Sequence, residues 1–203
     1  MPNPFSVFAR VLLLSAAANL FLCLSVWSQP PVINAKVVGV VDGDTIVIED
    51  RKRRKYQVRL KNIDAPELAQ NFGQQAKGHL SALVMGAWVR IVSNHYDKEG
   101  NLVGRVLRKR QDVALEMVIG GLAWHFFGFA HGQSIAERRF YEAAEQNARR
   151  SKFNIWSDSN PVAPWVFRRQ AGASPSRKAL GGEQAIHRSF RQFINDVVHQ
   201  KGW

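Results

Sequence analysis

Cysteine is the first scarcity of this chain. Its one copy, Cys23, lies inside an apolar stretch near the N-terminus, and everything after that stretch is free of thiols. A disulfide framework and a Cys-based metal site are thereby excluded for residues 29–203. Acids are the second scarcity. Sixteen Asp and Glu stand against 28 Lys and Arg, giving a formal net charge of +12 and a pI near 10.4. Such an excess suits a phosphate backbone or an anionic membrane as partner, because neutralising phosphates releases counterions; the bland alternative is a basic solvated surface. There is no internal repeat. Hydrophobic content of 46% is enough for a core, and the length fits one domain with appendages.

Long apolar runs are just as scarce. "VLLLSAAANLFLCLSVW", Val11 to Trp27, carries no charge over 17 residues; Arg10 precedes it and "SQPP" follows. A cation, an apolar run and then small residues is the order of a secretory signal, here cut after Ser28. Seventeen residues also reach the low end of a spanning helix, so an uncleaved anchor through residues 11–27 stays open. Either way residues 1–28 predict export, to the periplasm or medium. "LFLC" lacks the small residue before Cys that a lipoprotein signal wants.

From Asn34 onward the pattern is globular. "NAKVVGVVDGDTIVIED" and "KYQVRLKNI" are β-branched runs joined by the charged "DRKRRK", a hairpin connection. "APELAQNFGQQAKGHLSALVMGA" has helical character, with Leu68, Phe72, Leu80, Leu83 and Val84 on one stripe. "WVRIVSNHY" and "LVGRVLRKR" read as strands around the turn "DKEGN". "DVALEMVIGGLA" reads as a second helix capped by Asp112, and "SIAERRFYEAAEQNARRSK" as a third, opened by the capping box Ser134–Glu137. Strands, helix, strands and trailing helices predict an α+β domain over 34–168 that fits a small barrel carrying helices, the class to which OB-folds belong. Residues 169–184 read as a Gly/Ala/Ser/Pro-rich linker. Residues 185–203 read as an amphipathic helical tail, which either packs on the barrel or meets a partner or membrane.

The few acids gather in one place. "VDGDTIVIEDRKRRKYQVRLKNIDAPE" sets Asp42, Asp44, Asp64 and Glu67 around a basic run. "DGDT" and "IDAPE" are each, taken alone, ordinary turn compositions. On neighbouring strand ends they become an oxygen-rich pair of turns, which is what a hard divalent cation such as Ca2+ requires. Asp44, Asp64 and the Ala65 carbonyl are the candidate ligands, with Glu67 close enough to act through a water. Beside them Arg59 offers a planar, permanently charged fork for a phosphate. A cation held by acids next to a phosphate-binding arginine makes a phosphodiester site.

From about residue 35 to 160 the chain resembles the staphylococcal nuclease (thermonuclease) family. The resemblance is carried by "VVDGDTIVI", "VRLKNIDAPE", "GQQAKGHL", "GLAW" and "NIWSDSNP", in order and at matching spacing. It implies a five-stranded OB-fold β-barrel with three helices that cleaves DNA and RNA using Ca2+; no small-molecule cofactor is expected, and a monomer is. It further implies Asp44 and Asp64 as metal ligands with the main-chain oxygen of Ala65, where the family often has threonine. Arg59 would hold the phosphate, and Glu67 would be the general base or would position the attacking water.

Two departures bear on activity. The family usually reads Asp-Lys/Arg-Tyr-Gly-Arg after the third strand, and its arginine is a second transition-state clamp; here Glu99 and Asn101 replace the tyrosine and the arginine. Arg105 is the candidate substitute, although along a regular strand it lies roughly 13 Å away. Phe127 and Phe129 stand where tyrosines would flank the substrate, which keeps base stacking and loses hydroxyl contacts; core packing is the competing reading of "HFFGFA". A nuclease impaired by Asn101 and a weak or inactive nucleic-acid-binding protein on the same fold are therefore both expectations, beside a third, an envelope-associated interaction protein using the N-terminal segment and the C-terminal helix.

Overall fold

The computed structural model describes residues 30–129 and 133–172. The expected signal segment, most of the linker and the expected C-terminal helix lie outside the described residues.

Strand β1 (Val32–Val40) buries Ile33, Ala35 and Val37 and turns Asn34, Lys36 and Val38 outward, the period-two pattern of a strand with one apolar face. The "DGDT" turn, closed by Val41 N–H donating to the Thr45 carbonyl at 2.8 Å, leads to β2 (Thr45–Glu49) and β3 (Lys55–Leu60), an antiparallel hairpin. The basic "RKRR" run, residues 51–54, lies in the hairpin loop. Asp50 organises it, accepting from Lys52 N–H at 2.8 Å, Arg54 N–H at 2.9 Å and Arg54 Nε at 2.8 Å. β5 (Trp88–Tyr96) and β6 (Leu102–Arg108) flank the "DKEGN" turn. The order is β3-β2-β1-β5-β6, and β6 returns to pair in parallel with β3 through Val58–Leu102, Arg59–Val103 and Leu60–Gly104. That contact closes five strands into a barrel, the expected OB-fold, and removes the open edges a sheet would otherwise expose. A short β7 (Gln111–Asp112) turns back to pair antiparallel with the end of β6.

Helices α1 (Gly73–Val84), α2 (Val113–Ile119) and α3 (Ile135–Arg150) match the three read from sequence. Asp112 caps α2 by accepting from Ala114 N–H, and Ser134 with Glu137 forms the anticipated capping box on α3. The core inside the barrel and under these helices includes Ile46, Ile48, Val58, Leu60, Leu80, Ile91, Val106 and Met117.

Two features differ from expectation. Helix α1 begins at Gly73, eight residues after Ala65, and Leu68 is exposed instead of lying on its stripe. The chain turns back on itself first: Phe72 is left-handed (φ 65°), and a Cβ on Gly73 would sit 2.0 Å from the Glu67 carbonyl oxygen. Only glycine lets the helix start that close to the Glu67 backbone. Second, a short fourth helix, α4 (Pro164–Gln170), follows "NIWSDSNP" and runs two residues past the expected domain end at Arg168. Proline at its first turn suits that position. Its Trp165 packs edge-on against Trp124 at 6.5 Å and against Phe126 at 5.2 Å, and Gln70 Nε2 donates to the Val162 carbonyl at 2.7 Å just before it.

Candidate functional site

Two backbone devices bring the two aspartates together. The first is the turn before β2. Asp42 Oδ1 accepts from Asp44 N–H at 3.0 Å, and the Asp44 carbonyl accepts from Leu60 N–H at 2.8 Å, so the turn is held from inside and from β3. Gly43 has no room for a side chain: a Cβ there would lie 2.7 Å from the Cβ atoms of both Ala65 and Ala76. The second is a two-residue ladder. β4 (Ile63–Asp64) pairs antiparallel with β8 (Trp124–His125), with Asp64 opposite Trp124. The turn and the ladder are then joined directly, because Ala65 N–H donates to Asp44 Oδ2 at 3.1 Å. Asp44 Oδ1 accepts from the Thr45 hydroxyl at 2.8 Å. Asp44 is 1% and Asp64 0% exposed, which obliges both charges to be compensated locally.

Two guanidinium groups supply that compensation. Arg59, on β3, places Nη2 3.2 Å from Asp64 Oδ1 and 3.7 Å from Asp44 Oδ2. Arg168, on α4, forms a fork on Asp64: Nη2 to Oδ2 at 2.7 Å and Nη1 to Oδ1 at 3.1 Å. The same Nη1 donates to Glu67 Oε1 at 2.7 Å. Burial pushes the Asp64 carboxyl above the usual carboxylate range; the Arg168 hydrogen bond opposes that shift, the neighbouring Asp44 charge adds to it, and the Arg59 and Arg168 charges pull it back. The pair of aspartates is thus a strongly negative, desolvated spot that calls for positive charge.

A hard cation fits this chemistry. Among the described residues no three His, Cys, Asp or Glu side chains converge as a metal-holding group. The aspartates form a pair, and Glu67 joins them through Arg168. Asp44, Asp64 and the Ala65 carbonyl present only oxygen donors, the set that Ca2+ or a similar ion selects.

The structure therefore brings together Asp44, Asp64, Ala65, Arg59 and Glu67, all read from the sequence. It does not bring Arg105 to them. Arg105 Nε donates to Asp112 at 2.8 Å and Nη1 to Glu137 at 2.7 Å. It lines an outer concavity of the barrel with Trp88, Arg90, Lys109 and Arg110. Asn101 is a turn residue here: its N–H and Nδ2 both donate to the Asp97 carboxylate, at 2.7 and 2.9 Å. Phe127 is half exposed in a 3-10 turn (Phe127–Phe129), its ring 4.5 Å from that of the buried His125 and under the Arg138 guanidinium. Half of its surface is open, so it is not a core residue. Phe129 ends the turn at the edge of the described residues. Sequence reasoning missed Arg168, which it placed only as the last residue of the expected domain. The one local signal was Pro164 opening a short "PWVFRRQ" helix; nothing local says where that helix lands.

Residues 57–158 match the model of the family described as staphylococcal nuclease homologue. A protein of Haemophilus influenzae described as an uncharacterised endonuclease is 34% identical over 161 residues, covering 79% of this chain and 86% of its own. A protein of Escherichia coli with the same description is 33% identical over 151 residues, covering 72% and 94%. A Shigella flexneri protein named micrococcal nuclease is 31% identical over 173 residues, covering 81% and 95%.

Proposed function

The chain belongs to the staphylococcal nuclease family, and we propose that it is an exported, Ca2+-dependent enzyme that cleaves the phosphodiester bonds of both DNA and RNA. It is a nuclease, a phosphodiester hydrolase whose family depends on a metal. The observation that carries the finer reading is the contact of one guanidinium, Arg59, with two buried carboxylates, Asp44 and Asp64, whose backbones are locked to each other through Ala65.

Asp44, Asp64 and the Ala65 carbonyl would hold the cation. When bound there, it supplies Lewis-acid neutralisation of the phosphate. Arg59 donates to the phosphate oxygens as negative charge accumulates on them, and its fork is already oriented by the carboxylates, so little reorganisation is required. Glu67, partly exposed on the turn before α1, accepts a proton from the attacking water. The half-exposed Phe127 ring offers a stacking face for a base.

Asn101 favours a second reading, a nucleic-acid-binding protein that cleaves negligibly, since its side chain is spent on Asp97. Three carboxylates at a phosphate-binding surface argue the other way, because a binder gains nothing by repelling its ligand. Incubating the purified protein with plasmid DNA and with RNA, in Ca2+ and then in chelator, separates them. Cleavage of both substrates that chelator stops supports the enzyme. Retardation of the nucleic acid without cleavage supports the binder.

Export rests on the charge-free run Val11–Trp27 behind Arg10. It acts as a signal or as a membrane anchor for a monomeric catalytic domain. Cell fractionation with and without signal processing tests it; recovery only in the cytosol would remove export from the proposal.

A further inference from the structure

Arg168 occupies both oxygens of Asp64 and one of Glu67. A two-pronged guanidinium–carboxylate contact is among the stronger polar interactions a side chain makes, and here one partner is fully buried. Two requirements of the proposed chemistry conflict with it. A cation at Asp64 needs an oxygen that now accepts from a guanidinium. A base at Glu67 needs lone pairs that are not already taken by a permanent cation.

The charges indicate how the conflict resolves. Asp44, Asp64 and Glu67 against Arg59 and Arg168 leave the group with one net negative charge. A dication overshoots to one positive charge, and a single phosphodiester restores balance with Arg168 still present. The anchoring points the same way. Trp165 of α4 packs on Trp124, and Trp124 is the ladder partner of Asp64. The helix that carries Arg168 is thus tied to the strand pair that carries Asp64, and a long side chain can change partner while its helix stays seated.

We propose that Arg168 is a tethered counter-ion of the metal site: a divalent cation displaces it from Asp64 and Glu67, and the displaced guanidinium passes to the substrate phosphate. This gives the site a second phosphate-directed arginine, delivered from α4 and not from the β5–β6 turn. The cation frees Glu67, and the substrate phosphate then holds the guanidinium away from it. Cation and nucleic acid then bind with positive coupling, because each takes one side of the same ion pair, and the coupling is reciprocal.

The phosphate half of this inference rests on the nuclease reading; the counter-ion half does not. The test is calorimetric titration of Ca2+ into the full-length wild type, Arg168→Gln and Arg168→Lys, first alone and then with a phosphorothioate oligothymidylate that resists cleavage. Without oligonucleotide, Arg168→Gln should bind Ca2+ at least tenfold more tightly than wild type, with Arg168→Lys between them. The oligonucleotide should raise Ca2+ affinity at least fivefold more in wild type than in Arg168→Gln. Circular dichroism confirms that each variant is folded, and Arg168→Lys carries the test alone if the glutamine variant is not. Equal or weaker Ca2+ binding by Arg168→Gln overturns the counter-ion. A lysine variant indistinguishable from wild type overturns the direct fork. An equal oligonucleotide effect in wild type and Arg168→Gln overturns the transfer to phosphate. Tighter Ca2+ binding in a protein that never cleaves upholds the counter-ion and removes the nuclease; cleavage by wild type with unchanged Ca2+ affinities does the reverse.

Discussion

Arg168 and Asp64 stand 104 residues apart in sequence and meet as a two-pronged ion pair of 2.7 and 3.1 Å. Asp64 is therefore heavily compensated, with Arg59 as a further donor. Asp44 differs. Its contacts include a backbone N–H, a hydroxyl and one longer approach from Arg59. Two carboxylates of the same chemical type are thus held for different reasons, and their substitutions separate the roles.

Asp64→Asn should abolish metal-dependent cleavage and also destabilise the metal-free protein, because two guanidiniums lose their common counter-ion. Breaking a buried pair from one side costs about 3–5 kcal/mol. Arg168 keeps some access to water, so a loss on the order of 2 kcal/mol is expected. Asp44→Asn should abolish cleavage with a smaller stability change, since the amide oxygen still accepts from Ala65 N–H and a like charge beside Asp64 is gone. Thermal melts in chelator check both. An Asp64→Asn protein that melts at or above wild type would contradict the ion-pair account.

Gly43→Ala tests the packing that sets the distance between the two acidic turns. The added methyl group meets Ala65 and Ala76 at 2.7 Å each, closer than two carbons tolerate, and neither neighbour can rotate away. Overpacking of this kind costs about 1–3 kcal/mol. The displaced turn should also weaken Ca2+ binding, because Asp44 moves with Gly43. Titration calorimetry and a melt measure the two effects; unchanged Ca2+ affinity with lowered stability would show that the turn does not position the ligand.

Asn101→Arg restores a guanidinium on the β5–β6 turn. With Arg168 delivering the second phosphate contact from α4, the substitution should change wild-type cleavage less than threefold. In an Arg168→Ala background it should recover at least tenfold of the lost rate, equivalent to about 1.4 kcal/mol of barrier. Steady-state rates on DNA decide. A tenfold gain in the wild-type background would show that the second clamp was missing there.

His125 contributes a pH dependence of stability that is separate from catalysis. Burial among Phe127 and Tyr141 depresses its pKa below the ordinary 6.5, while the Gln133 contact and the Glu145 and Glu142 charges pull upward. The folded protein therefore binds this proton less readily than the unfolded chain. The stability it contributes is present above pH 6.5 and is lost as the pH falls toward the depressed folded value. His125→Gln should flatten the melting temperature between pH 7.5 and 5 relative to wild type. An identical pH profile in the variant would exclude His125 as the source.

The barrel and most of the site were legible because their determinants are local. β-branched alternation specifies strands; Asp112 and Ser134–Glu137 specify helix starts; "DGDT" and "IDAPE" are turns whose acids point where strand ends point. Once those strands are neighbours, Asp44, Asp64, Ala65 and Arg59 have nowhere else to go, since β2–β3 pairing alone places Thr45 opposite Arg59. The start of α1 was misread because the apolar stripe continues through Leu68 and Phe72, whereas the close approach of Gly73 to the Glu67 carbonyl, a contact no periodicity encodes, delays the helix.

By itself the sequence determined a basic, thiol-free barrel with two acids and an arginine at adjacent strand ends. Tertiary structure alone decided what those acids touch. It committed Arg105 to Asp112 and Glu137, tied Asn101 to Asp97, and brought Arg168 from an unmarked helix into the carboxylates. The reason is physical: strand pairing and capping act over a few residues and leave a signature in residue order, whereas the partner of a buried charge is whichever opposite charge the packing of distant elements carries within reach. For Asp64 that packing is Trp165 on Trp124, and the partner it delivers is Arg168.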